Sequence, residues 1–457
     1  MFRFYFKYFA SNNVSFRNLC LITHRKCLHS CSKHKVEDEM ETSALVDRKG
    51  PRRRSVRTTS LPISVKENKD FFLRGKELET VKKKNRTVFN KATSEFINSR
   101  ECLRKMKNLF EMSFAEQARN GPYLCDEIVA RTICESIERT ITSKDMPVIE
   151  LNPGVGFLTK EIIDAGLLNL QLFEPSSNFC SYLMEKFPNL QIHKKNVSKL
   201  WKLLYLDEMD GGSRTSEIFS GIEAKSWDDD PSYCLIAAIY NTDFVKSFIV
   251  GTMLQENLFH YGRPECYLVL DPLAYSMLTN RGDLGNRIYT PLSVLFQNTF
   301  DSELLLKIPR NVFLPVRKLK INRKSNHCVK LANEEGDLLY LIKITGRTEV
   351  AGLREIGLSS AFFNFVSQVF NVKTNRLIPF LEQWMPGCGP KLISMGYTVY
   401  TLSGELNPEE AYSIFMDVCV PYDNGSTFSS GLGNLVMTKQ PFSEKLEDYE
   451  DHDEEVR

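Results

Sequence analysis

The chain has only three tryptophans and seven histidines in 457 residues, and its twelve cysteines include no C-x-x-C pair. That spacing excludes the usual zinc and redox-dithiol motifs. The one local cluster, His24, Cys27, His29 and Cys31, falls in a segment read as a removable leader. No metal is therefore expected, and the thiols should be free in a reducing compartment. Long apolar runs are missing too: no window approaches the roughly 18 residues of a membrane span, so no membrane partner is expected. Acidic residues are absent before Glu37, while Arg3, Lys7, Arg17, Arg25, Lys26, Lys33 and Lys35 stand among hydroxyls and aromatics. This is the composition of a mitochondrial transit peptide over residues 1–36; a secretory signal would need a longer apolar stretch.

What is present is unevenly distributed. The net charge of +2 averages a basic front and an acidic back. Between Arg48 and Lys107 stand 19 Lys or Arg against 6 Asp or Glu, whereas Glu447 to Glu455 holds seven acids in nine residues. Residues 37–95, with Arg52-Arg53-Arg54 and Lys82-Lys83-Lys84 and little apolar periodicity, read as a flexible arm. Such an arm is either a solvated linker or an electrostatic contact that displaces counterions from nucleic-acid phosphate or meets a polymerase surface. Residues 441–457 read as an acidic disordered tail. The length exceeds one core of the usual size, so an α/β domain at 96–303 and a smaller, mainly helical one at 304–440 are expected.

The most informative stretch is Val148 to Thr159, V-I-E-L-N-P-G-V-G-F-L-T. A buried strand runs into a glycine turn and opens a helix, and Phe173-Glu174 closes the next strand twenty residues after Gly154. In an open α/β sheet such glycines let backbone approach a ligand, and a carboxylate on the next strand takes ribose hydroxyls. A bare G-x-G also serves any tight turn; the strand context and Glu174 favour a site. A dinucleotide fold would want a third glycine where Thr159 stands. Short β-rich runs at Val148–Leu151, Leu170–Phe173, Leu190–His193, Cys234–Tyr240 and Cys266–Leu270, separated by helical stretches, predict parallel strands with crossovers. Asp207 to Pro231 interrupts this rhythm and reads as a surface insertion.

Glu150, Asn152-Pro153 and Phe157-Leu158-Thr159 around the glycines resemble motif I of the S-adenosylmethionine-dependent rRNA adenine dimethyltransferases. Phe173-Glu174-Pro175 and His193-Lys194-Lys195-Asn196 extend the likeness, and Ile308 to Pro315 is similar to the family's I-P-R-x-x-F-x-P entry into its C-terminal domain. The resemblance spans roughly residues 96 to 420 and is closest to the mitochondrial branch, the mitochondrial transcription factor B proteins. Within it, Trp384 to Pro390 looks like the insect-type second paralogue. The implied fold is a Rossmann-like methyltransferase sheet with a smaller, mainly helical C-terminal domain. The implied cofactor is S-adenosylmethionine, at a weakened site made by Cys125 through its backbone, Glu150, Gly154, Gly156, Glu174 and Asn196, the last standing where the family has an acid.

Methylating adenine N6 requires a base taken out of its stack, held on an aromatic ring, with its amine polarised by a side-chain amide. The family does this with an N-L-P-Y or N-L-P-F loop after the fourth strand, where this chain reads Ala237-Ala238-Ile239-Tyr240-Asn241. If Tyr240 matches the aromatic, Ala237 replaces the catalytic Asn; with a one-residue gap, Ala238 does. Either way the amide is lost and only the displaced Asn241 offers a substitute, so weak or absent dimethylation is expected. Tyr240 is left with two readings, a stacking platform or a packed strand end.

From Leu304 to Asn333 the chain carries eight Lys or Arg and no acid, including Arg310, Arg317, Lys318, Lys320, Arg323 and Lys324, interleaved with Phe313 and Pro315. This is a solvated face or, next to such a fold, a surface that traps a nucleic-acid backbone. Phe362, Phe363, Phe365, Val366 and Phe370 have helical spacing and read as core. Asn407-Pro408-Glu409-Glu410 reads as a capped helix start. The resemblance implies a factor of the mitochondrial matrix or nucleoid that partners the mitochondrial RNA polymerase at promoter DNA and traps the melted strand, with rRNA as a further partner. The alternative is a working mitochondrial rRNA adenine N6-dimethyltransferase.

Overall fold

The computed structural model describes residues 91–116, 122–197, 206–207, 209–239, 243–253, 261–282, 288–317, 326–348 and 358–423. The transit peptide, most of the basic arm and the acidic tail lie outside the described residues, as does the His24–Cys31 cluster. The strands are β1 (Tyr123–Leu124), β2 (Val148–Leu151), β3 (Leu170–Phe173), β4 (Gln191–His193), β5 (Tyr233–Ala238), β6 (Pro264–Leu270), β7 (Phe300–Pro309), β8 (Phe313–Leu314) and β9 (Leu338–Gly346).

Seven of them form one sheet in the order β4-β3-β2-β5-β6-β9-β7. The pairs from β4 through β6 are parallel, and β9 adds antiparallel to β6 and to β7. Chain order reverses between β2 and β5, which is where open α/β sheets bind their ligands, outside the carboxyl ends of the strands. The expected α/β methyltransferase-like architecture is therefore what forms, and each of the five expected strands is present, with β4 and β5 slightly shorter than the runs that predicted them.

Side-chain alternation sends successive β2 residues to opposite faces. Ile149 and Leu151 join one apolar cluster with Leu235, Ala237, Leu268 and Ile342, while Val148 joins the other with Leu172, Cys234 and Ile236. Helices Lys91–Ser99, Glu101–Lys105, Lys107–Glu116 and Glu127–Thr140 contribute to the second cluster, through Ile97, Leu103, Phe110 and Ile133. Helices Leu358–Val369, Leu377–Glu382, Gly389–Ser394 and Pro408–Ile414 contribute to the first, through Phe362, Phe365, Leu381 and Ile414. The aromatic stripe around Phe362 is thus core, and Asn407 caps its helix as expected: its side chain accepts from Glu410 N–H at 2.8 Å and Glu410 returns the bond at 2.8 Å.

Three expectations need correction. Leu338–Gly346, read as part of a helical segment, is strand β9, and it lies between two strands with most of its side chains buried, which erases the period-two signal. The expected domain break at 303/304 falls within β7, and the sheet continues past it through β9. The Asp207–Pro231 insertion is anchored: Phe219 and Ile222 are buried, and Trp227 donates its indole N–H to the Arg347 carbonyl at 2.8 Å. No helix among the described residues is long and apolar enough to cross a membrane. Cys102, Cys125, Cys134, Cys180, Cys234, Cys266, Cys388 and Cys419 are free, and all of these but Cys102 are buried.

Candidate functional site

Register brings the expected site residues to one edge of the sheet. Leu151 pairs with Phe173 on one side and Ala237 on the other, and Phe173 pairs with His193. The glycine turn after β2, Glu174 after β3, Asn196 after β4 and Ala237-Ala238 at the end of β5 therefore lie along the same carboxyl edge. Tyr240 and Asn241 fall outside the described residues.

The turn needs left-handed backbone three times: Asn152 at φ 57°, Gly154 at φ 62° and Gly156 at φ 73°. Asparagine tolerates this region better than most side chains, so the Asn152 that the motif I resemblance included has a backbone role in the turn. Both glycines are closely covered. A Cβ at Gly154 would stand 2.8 Å from the Tyr123 ring, and one at Gly156 would stand 2.7 Å from Phe187 and 3.0 Å from Leu183. Lys186 closes the same side, donating to the Val155 carbonyl at 2.9 Å with its ammonium 5.2 Å from the Phe187 ring centre.

Glu174 has no exposed surface. Its Oε2 accepts from Gly154 N–H at 3.1 Å, and its Oε1 accepts from Ser176 N–H at 2.8 Å and from the Tyr123 hydroxyl at 3.3 Å. Glu150 is nearly as buried, at 3 % exposure, and accepts from the Thr159 hydroxyl at 2.7 Å. Burial pushes its carboxyl up to about 7 against the opposing pull of that hydroxyl. Thr159, which broke the dinucleotide pattern, is the donor a buried Glu150 requires.

Cys125 is buried, and both of its backbone groups are engaged: its N–H donates to the Val312 carbonyl at 2.9 Å, and its carbonyl accepts from Arg100 at 3.4 Å. Burial holds its thiol well above the ordinary range. Asp126 beside it caps helix Glu127–Thr140 by accepting from Val129 N–H at 3.0 Å and pairs with Arg100. Asn196 is half-buried, Ala237 is 3 % exposed and Ala238 is half-buried.

These residues, as arranged, do not fit the ribose of S-adenosylmethionine. The carboxylate that would accept its hydroxyls has no exposed surface and already accepts from Gly154 N–H, Ser176 N–H and the Tyr123 hydroxyl, and on the side a Cβ would take, Gly154 meets Tyr123 and Gly156 meets Leu183 and Phe187. Without movement, the edge is shaped like a cofactor site but closed like a core.

The basic stretch divides. Arg310 is 4 % exposed, pairs with Asp271, and donates to the Gly336 and Leu338 carbonyls at 2.8 and 3.1 Å. A buried guanidinium spent on backbone carbonyls cannot meet phosphate, so Arg310 is corrected from a nucleic-acid contact to a structural one. Burial raises Asp271, while Arg310 and Arg317 pull it down. Arg317 is half-buried; Lys318, Lys320, Arg323 and Lys324 lie outside the described residues. Phe313 is core at 1 % exposure, and Lys307 pairs with Glu335 at 2.6 Å.

Comparison with known proteins gives four matches. The family model for ribosomal RNA adenine dimethylase matches residues 118–322. The chain is 30% identical over 312 residues to dimethyladenosine transferase 2, mitochondrial, of Drosophila melanogaster, covering 66% of this chain and 69% of that one. It is 23% identical over 223 residues to ribosomal RNA small subunit methyltransferase A of Sulfurimonas denitrificans, covering 46% of this chain and 68% of that one. A solved dimethyladenosine transferase from Plasmodium falciparum superposes at a TM-score of 0.41 with 14% identity, over 65% of this chain and 96% of that one.

Proposed function

Since the chain belongs to the ribosomal RNA adenine dimethylase family, in its mitochondrial branch, we propose that it acts as a mitochondrial transcription initiation factor in which methyl transfer is weak or lost. In this reading it works in the matrix with the mitochondrial RNA polymerase, helping to open promoter DNA and hold the melted strand. The observation that carries the reading is the pair Ala237 and Ala238 at the end of β5, beside the glycine turn, where the resemblance places the catalytic amide. A methyl group can neither accept from nor orient an adenine amine. Losing one such preorganised polar group costs about 100- to 1,000-fold in rate where it has been removed from enzymes. The closed Glu174 carboxylate points the same way, since a poorly loaded donor site compounds the loss.

Arg317, Lys318, Lys320, Arg323 and Lys324 remain the proposed nucleic-acid contacts, acting on backbone rather than base edges. An active rRNA adenine N6-dimethyltransferase is the second reading, favoured by a family match that runs through both the glycine turn and β5. The two are separated by assaying promoter opening with the cognate mitochondrial RNA polymerase beside methyl transfer to a small-subunit rRNA hairpin. Opening without methylation is expected. Methylation without opening would overturn the initiation-factor reading and assign the amide's role to Asn241 or another group.

A further inference from the structure

We infer that Glu150 makes the glycine turn a proton-sensitive hinge: with its carboxyl neutral the turn is held against helix Phe157–Asp164, and with it ionised the turn opens locally. The inference stands apart from the polymerase reading and concerns only how the turn moves. Glu150 lies in β2, and its side chain accepts from the hydroxyl of Thr159, the third residue of that helix. One hydrogen bond thus brackets the left-handed residues Asn152, Gly154 and Gly156.

The other buried carboxylates meet a cation or peptide N–H groups. Glu265 pairs with Lys343, Asp126 with Arg100 and Val129 N–H, Glu161 with Arg131 and Lys160, and Glu174 accepts from two N–H groups. Glu150 meets the Thr159 hydroxyl, and no lysine, arginine or peptide N–H among the described residues bonds its side chain. At its register, β3 and β5 offer Leu172 and Ile236. From helix Glu127–Thr140 the titratable neighbour is the Cys134 thiol, which burial and then Glu138, Glu161, Glu150 and Glu135 push up to about 12, so it stays neutral. An ionised Glu150 therefore lacks a countercharge, and it gains water only when the turn lifts. Burial accordingly raises it from 4.5 to about 7, with the Thr159 hydroxyl opposing. The closed turn keeps a proton that the open turn releases, so closure is strongest below pH 4.5 and weakens as pH rises to about 7.

The test is amide hydrogen exchange of the full chain and its Glu150→Gln variant from about pH 5 to about pH 8, corrected for the intrinsic exchange rate. Protection of the amides between Asn152 and Thr159 should fall about tenfold per pH unit up to about pH 7 and then level off. In Glu150→Gln it should stay flat. Thr159→Val, which removes the hydroxyl that favours the ionised form, should carry the fall past pH 7. A residue that merely packs would shift protection equally at every pH. A flat profile in the natural chain, or the same slope in Glu150→Gln, overturns the inference. So do turn amides that exchange no faster than those of β6, because the opening is then global unfolding rather than a hinge.

Discussion

The two edges of the parallel sheet each bury a carboxylate completely, Glu174 at the carboxyl edge and Glu265 at the amino edge, and they satisfy it in different ways. Glu265 pairs with the Lys343 ammonium at 3.4 Å and accepts from the Tyr267 hydroxyl at 2.6 Å, the Thr142 hydroxyl and the Thr142 N–H at 3.3 Å. Glu174 instead takes peptide N–H groups from the glycine turn and the following helix, with the Tyr123 phenol added. An ion pair bridging β6 and β9 braces the amino end of the sheet. Amide donors brought by a glycine turn hold that carboxylate at the carboxyl ends of the strands, where open α/β sheets bind their ligands. Chemistry and bracing are thus kept at opposite ends of the same strands.

The hardest way to break this contrast is Lys343→Met, which strands Glu265 in the core without its cation and should cost about 3–5 kcal/mol of stability. Urea unfolding measures it, and S-adenosylhomocysteine affinity should not change. A loss below about 1 kcal/mol would mean that the amino edge is not braced by charge.

Glu150→Gln sharpens the picture at the other edge. The folded carboxyl is raised from the ordinary 4.5 to about 7 by burial, so the native state keeps a proton that the unfolded chain releases. The stability this group contributes is fully present below pH 4.5 and is lost as pH rises to about 7. Glutamine cannot ionise and still offers an oxygen to Thr159. The variant should be more stable than the natural chain above pH 7 by something on the order of 3 kcal/mol, with little difference at low pH. Parallel pH–stability curves for the two proteins would remove Glu150 as the source.

The smallest effect expected is Gly156→Ala, about 1–3 kcal/mol, from left-handed backbone plus the contact with Phe187. Gly166→Ala is the control, since that glycine has φ +83° but nothing within 4 Å of a Cβ. Equal losses at the two positions would show that the Phe187 contact adds nothing.

Much of the carboxyl edge was legible because its signals are local. Val148 to Thr159 and Phe173-Glu174 announce strand, turn, helix and carboxylate within one short span, and the five parallel strands follow as separate β-rich runs. Strand β9 was missed because a strand flanked on both sides and covered on both faces has no alternation to read. The insertion passed for surface because Phe219, Ile222 and Trp227 are spaced among polar residues and find the core only after folding. Arg310 passed for a phosphate ligand because a run of Lys and Arg does not disclose which member meets a distant Asp271.

By itself, the amino-acid sequence determined the glycine turn, the acid placed to face it and the absence of the amide from β5, since each is a matter of which residue stands at which local spacing. Only the tertiary structure decided that the acid is already occupied, that Thr159 satisfies Glu150 and that Arg310 is buried. The donors involved come from as far as 51 residues away in the case of Tyr123, and it is the pairing of β1 with β8 and the packing of Phe114 and Phe179 that deliver that phenol to Glu174.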